Sequence, residues 1–113
     1  MCIRDRPYTD KDRIGIFGWS YGGFMSSLCL LKGNDVFKAA IAVAPVTSWR
    51  WYDTIYTERF MRTESENPDG YKDNSPVYFA DQLKGHYLLV HGGSDDNVHW
   101  QQSAEMMLSL IHI

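Results

Sequence analysis

The stretch that most constrains this chain is Gly18-Trp19-Ser20-Tyr21-Gly22-Gly23. A serine set between glycines, G-x-S-x-G, follows directly on the apolar run Ile14-Gly15-Ile16-Phe17. Behind it Phe24, Leu28 and Leu31 recur at the period of one helical face, so residues 24–31 are expected to form a helix. Strand, sharp turn and helix in that order are the context of a nucleophile elbow, in which a strained turn projects the serine hydroxyl. The flanking glycines let strand and helix close on each other where a Cβ would collide. The competing reading is a glycine-rich turn with Ser20 acting only as helix N-cap.

The rest of the chain supplies the elements such a turn needs. Residues 39–43, Ala-Ala-Ile-Ala-Val, are apolar without alternation, as in a strand buried on both faces of a parallel sheet. Tyr87-Leu88-Leu89-Val90 reads as a third strand running into His91-Gly92-Gly93. Trp49, Tyr52, Tyr56 and Phe60 stand at helical spacing and form an aromatic stripe, which spacing alone assigns to core packing. Residues 63–76 are polar and read as a surface excursion, and 77–83 as a short helix or turn. A last helix is expected from Asp96 or Asn97 through Gln101 to Met107. The alternation predicts an α/β fold of about three parallel strands with flanking helices.

Composition excludes several classes. A formal net charge of −3 with no lysine or arginine run argues against nucleic acid as a partner. No apolar stretch approaches the ~20 residues of a membrane span. Cys29 lies in the apolar helix and Cys2 at the amino end, which gives no disulfide framework. No metal or cofactor motif is present, so no cofactor is expected.

The two ends read differently from what lies between them. Met1-Cys2-Ile3-Arg4-Asp5-Arg6 is encodable by ATGTGTATAAGAGACAG followed by a purine, and the reverse complement of that element encodes residues 108–113. They resemble the transposon end used in sequencing-library preparation, read in both directions. Residues 1–6 and 108–113 are therefore expected to be adapter-like, with genuine sequence over 7–107 and a gene that continues on both sides.

In open α/β sheets active groups collect at the carboxyl ends of the strands. Here those ends carry Ser20, the Pro45-Val46 loop and Asp95-Asp96. A serine hydroxyl needs an imidazole to remove its proton, and a carboxylate to orient that imidazole. In an α/β-hydrolase fold the chain order is serine, acid, histidine. Ser20 and an aspartate after the third strand meet the first two; a purely local Asx turn is the alternative for the acid. His86 and His91 precede the acid, His99 follows Asp95 too closely, and His112 lies in the adapter-like end. The triad histidine is thus expected to be absent from this chain, which would leave it inert on its own. The backbone N–H of Tyr21 is the expected first oxyanion donor.

Gly18 to Gly23, Val36-Phe37-Lys38-Ala39-Ala40-Ile41-Ala42-Val43-Ala44-Pro45-Val46-Thr47-Ser48-Trp49, Tyr56-Thr57-Glu58-Arg59-Phe60-Met61 and His91-Gly92-Gly93-Ser94-Asp95-Asp96-Asn97-Val98-His99-Trp100-Gln101-Gln102 resemble the dipeptidyl peptidase IV branch of the prolyl oligopeptidase family, and most of all a bacterial member. The resemblance implies part of an α/β-hydrolase domain from a serine peptidase that removes N-terminal dipeptides with proline or alanine second. It implies Ser20 as nucleophile and Asp95 as triad acid. It implies Val46, Trp49, Tyr52, Tyr56 and Val98 as walls of a proline pocket, and Asn97 as a hydrogen-bond partner of the peptide backbone. It further implies a β-propeller elsewhere in the protein, a homodimer and an extracytoplasmic location. An esterase or lipase of the same fold, and a non-catalytic binding homologue, are the alternatives.

Overall fold

The computed structural model describes residues 6–112; residues 1–5 of the amino end expected to be adapter-like, and Ile113, lie outside them. Three parallel strands, β1 (Ile14–Trp19), β2 (Phe37–Val43) and β3 (His86–Val90), form one sheet in the order β1-β2-β3. The helices are α1 (Tyr21–Lys32), α2 (Thr54–Met61), α3 (Pro68–Asp73) and α4 (Gln101–Ile111). Single 3₁₀ segments cover Trp49–Trp51 and Pro76–Gln82.

Helix α1 lies on one face of the sheet, and small side chains let it lie close. Ala40 and Ala42 are buried beneath it, and Ser26 Oγ reaches both the Gly23 and Ile41 carbonyls. Ser27 Oγ donates to the Gly23 carbonyl at 2.7 Å, so its remaining contact, with Tyr87 Oη at 2.7 Å, is one in which the phenol donates. Burial pushes the Tyr87 phenol up to about 12. Two apolar clusters flank the helix. One joins Phe24, Val46, Trp49, Tyr71 and Val98; the other joins Leu31, Ala80 and Met106.

The opposite sheet face corrects an expectation. Register places Phe17, Ile41 and Leu88 in one row and Trp19, Val43 and Val90 in the next. Phe17, Trp19, Ile41, Leu88 and Val90 are exposed, so β2 is covered on one face among the described residues. An unbroken apolar strand reports what a face is built to meet, whether or not the partner is present.

Other elements shift as well. The aromatic stripe is not one helix: Trp49 belongs to the 3₁₀ segment, Tyr52 is extended, and Asp53 starts α2 afresh by accepting from Tyr56 N at 2.8 Å. The polar excursion contains α3, which Asn67 caps from Gly70 N with Pro68 in the first turn. Its Tyr71 turns inward to the first cluster and donates to the Arg62 carbonyl. Helix α4 begins at Gln101, because tight turns occupy the residues before it, and continues through residues 108–111.

Candidate functional site

Ser20 sits between the last residue of β1 and the first of α1 with φ 55° and ψ −114°. A non-glycine residue at that φ carries strain of about 1–3 kcal/mol, sustained only if its surroundings hold it. Two backbone bonds do so: Ser20 N donates to the Val43 carbonyl at 2.8 Å, and the Ser20 carbonyl accepts from Phe24 N at 3.0 Å. The Ser20 side chain caps no helix amide, which removes the N-cap reading. A Cβ on Gly18 would run into the Gly22 backbone, and one on Gly23 would lie 2.9 Å from the Val43 carbonyl oxygen. Gly22 has open space where a Cβ would go, so close packing depends on Gly18 and Gly23. Tyr21 opens α1, so its N–H has no intrahelical acceptor and lies at the positive end of the helix dipole.

Before the Ser20 side of the elbow lies a cavity of about 80 Å³ lined by Ser20, Tyr21, Val46, Trp49, Tyr52 and Tyr56. Although split between two elements, the aromatic rings form one wall. Trp49 stacks on Tyr56 at 6.2 Å and 17°, and Tyr52 meets both rings edge-on. Val98 is buried with Val46 and Trp49 but is not on the cavity wall. A larger cavity of about 450 Å³ adjoins it, sharing Tyr21, Trp49 and Tyr56 and reaching Thr57, Phe60 and Asn67.

Asp95 follows β3 in a tight turn. Its Oδ1 accepts from Asn97 N and Val98 N, both at 3.0 Å. The local Asx-type role is therefore real, but it uses one oxygen and leaves Oδ2 free to act elsewhere. The nearest cationic candidate to Oδ2 is His91 Nε2 at 3.6 Å. That nitrogen lies 2.6 Å from the Val98 carbonyl, which can only accept, so Nε2 carries the proton there. Nδ1 is 2.6 Å from Ser103 Oγ, and the side chain is 1% exposed. Both ring nitrogens are thus committed to structure. Among the described residues no histidine hydrogen-bonds the Ser20 hydroxyl.

Asn97 Oδ1 accepts from the Tyr52 hydroxyl at 2.7 Å, which joins the acid turn to the aromatic wall. Burial, then the neighbouring Asp53 carboxylate, raises the Tyr52 phenol and keeps it a donor. Beneath these groups lies a buried network that the sequence did not announce. Gln102 Oε1 accepts from Thr47 N and Ser48 N, each at 2.9 Å, and its Nε2 donates to the Ser48 carbonyl at 3.1 Å. No motif marks such a glutamine, because its role is set by a loop 54–55 residues away in the chain. Among the described residues no group of His, Cys, Asp or Glu is arranged to hold a metal ion, and no helix is long and apolar enough to cross a membrane.

Known proteins share the sequence and fold of this chain. The model of the prolyl oligopeptidase family matches residues 2–112. Dipeptidyl peptidase 4 of Bos taurus is 48% identical over 107 residues, covering 92% of this chain and 14% of the bovine protein. Prolyl endopeptidase FAP of Homo sapiens is 47% identical over 93% of this chain and 14% of its own length. The crystal structure of Porphyromonas gingivalis dipeptidyl peptidase 4 superposes with a TM-score of 0.95 at 53% identity, over 97% of this chain and 16% of that one. The chain therefore spans about a seventh of the length of these relatives. With matched sequence, matched fold and the elbow in place, the chain belongs to the prolyl oligopeptidase family.

Proposed function

We propose that this chain is the nucleophile-and-acid segment of a serine-type dipeptidyl peptidase that releases N-terminal dipeptides with proline or alanine second. The observation that carries this reading is the Ser20 hydroxyl, held at φ 55° beside a small cavity with aromatic walls. A flat apolar slot suits a pyrrolidine ring, whose rigidity leaves little conformational entropy to lose on binding.

In this reading Ser20 Oγ attacks the carbonyl carbon of the second residue while an imidazole takes its proton. The Tyr21 N–H donates to the developing oxyanion at the helix N-terminus. Collapse expels the amine, which receives the proton, and water then hydrolyses the ester on Ser20. Asp95 Oδ2 orients the imidazole, which comes from outside the described residues, as do the second oxyanion donor and the groups that bind the free amine. Asn97 contacts the peptide backbone beside the scissile bond. The working protein is a homodimer, a state its mass in solution would read.

The test replaces the matched segment of P. gingivalis dipeptidyl peptidase 4 with residues 7–107 and assays Xaa-Pro anilides beside short-chain esters. Cleavage after proline, abolished by Ser20→Ala, is the expected result. Ester turnover without cleavage after proline would reject the peptidase reading in favour of an esterase.

A further inference from the structure

We propose that Gln102 is a positioning residue for the aromatic slot, its carboxamide standing in for a neighbouring strand along the loop that carries Val46 and Trp49. The inference rests on the peptidase reading and adds to it the group that sets the slot's width.

The loop after β2 leaves the sheet, yet Val46, Thr47, Ser48 and Trp49 are all buried. Its backbone groups have no strand beside them and must be satisfied in some other way. Gln102, fully buried on the first turn of α4, supplies both halves of a strand's pairing: one acceptor for two successive N–H groups and one donor for the Ser48 carbonyl. The loop answers in kind, as Thr47 Oγ1 donates to the Gln102 carbonyl at 2.6 Å. From the other side Val77 N donates to the Thr47 carbonyl, and Ser75 Oγ accepts from Trp49 N, each at 3.0 Å. The two walls are therefore clamped between α4 and the segment before β3. Ser103, next in the chain, holds His91, which holds the Val98 carbonyl. One turn of α4 thus fixes the slot loop and the acid turn against each other.

A displaced loop would alter the fit of a rigid ring more than that of a methyl group. Gln102→Met keeps length and loses every polar contact of the carboxamide. Gln102→Glu keeps an acceptor for the Thr47 and Ser48 amides but loses the donor to Ser48. Both are made in the full-length P. gingivalis chimera. Steady-state kinetics on Xaa-Pro and Xaa-Ala anilides is measured beside deuterium exchange in peptides spanning residues 46–49. With Gln102→Met the KM for Xaa-Pro should rise roughly tenfold with kcat within about twofold, Xaa-Ala should change less, and exchange over 46–49 should accelerate. Gln102→Glu should fall between. Unchanged exchange over 46–49 would overturn the inference, and so would an equal loss of kcat on both substrates at constant KM, the signature of fewer folded molecules. If the unsubstituted chimera cleaves neither anilide, the peptidase reading fails, while the exchange comparison still decides whether Gln102 holds the loop.

Discussion

His91 Nε2 stands 3.6 Å from Asp95 Oδ2, yet the two are not a catalytic pair, because the histidine's proton is directed to the Val98 carbonyl. Asp95 Oδ1 holds the turn, and in the proposed reading its Oδ2 orients the triad imidazole. Asp95→Asn separates these roles. The amide oxygen can still accept from Asn97 N and Val98 N, so folding should be retained. Catalysis in the chimera should fall by ~10³–10⁴, the effect of losing the acid of a triad. A folded variant with near-normal kcat would assign Asp95 to the turn alone.

His91 itself should matter for stability rather than proton transfer. His91→Phe leaves the Ser103 hydroxyl and the Val98 carbonyl without their partner in a buried place. The expected cost is about 2–5 kcal/mol from the two groups together. Chemical denaturation reads it directly, and the pH profile of kcat in any surviving enzyme should keep the wild-type midpoint. A shifted midpoint would mean that the ring takes part in proton transfer.

The three glycines of the elbow should respond unequally. Gly18→Ala and Gly23→Ala put a Cβ into backbone and should prevent the strand–helix contact from closing. Gly22 lies in the first turn of α1 with open space at its Cβ and no left-handed φ. Gly22→Ala should therefore be neutral or stabilise by about 0.5–1 kcal/mol. Thermal melts of the three variants check the order, and an equally damaging Gly22→Ala would contradict it.

The elbow, the three strands and the acid turn were legible because each is local: a serine between glycines, apolar runs, an aspartate after a strand. The aromatic residues were legible as a group but not as an element. Their helical spacing spans a 3₁₀ segment and a separate helix, and only the fold brings Trp49 onto Tyr56. Tyr71 and Gln102 were invisible for a different reason. A polar tract hid α3, and the partners of Gln102 lie across the domain, where neither periodicity nor motif reaches.

Thr57 offers a stability gain. It is buried beside the larger cavity, and its Oγ1 is the one buried side-chain polar atom without a hydrogen-bond partner among the described residues. Thr57→Val keeps the shape and removes the unpaired hydroxyl. The expected change is a stabilisation of about 1 kcal/mol, since an unsatisfied buried donor costs that much or more. Urea midpoints for the two proteins test it, and a destabilised valine variant would show that the hydroxyl is satisfied in solution.

Tyr87 gives the alkaline side of stability a definite sign. Its phenol is raised from 10.0 to about 12, chiefly by burial. The folded state therefore keeps a proton that the unfolded state releases above pH 10. Stability is complete below that pH and declines as pH rises from about 10 to about 12, by about 3 kcal/mol in total from this group. Tyr87→Phe should cost about 1 kcal/mol near neutrality, where the Ser27 hydroxyl still donates to the Gly23 carbonyl. Above pH 10 the variant should lose stability less steeply than the parent, so the two curves converge. Curves that stay parallel from pH 9 to 12 would show that the Tyr87 phenol titrates alike in the folded and unfolded chains.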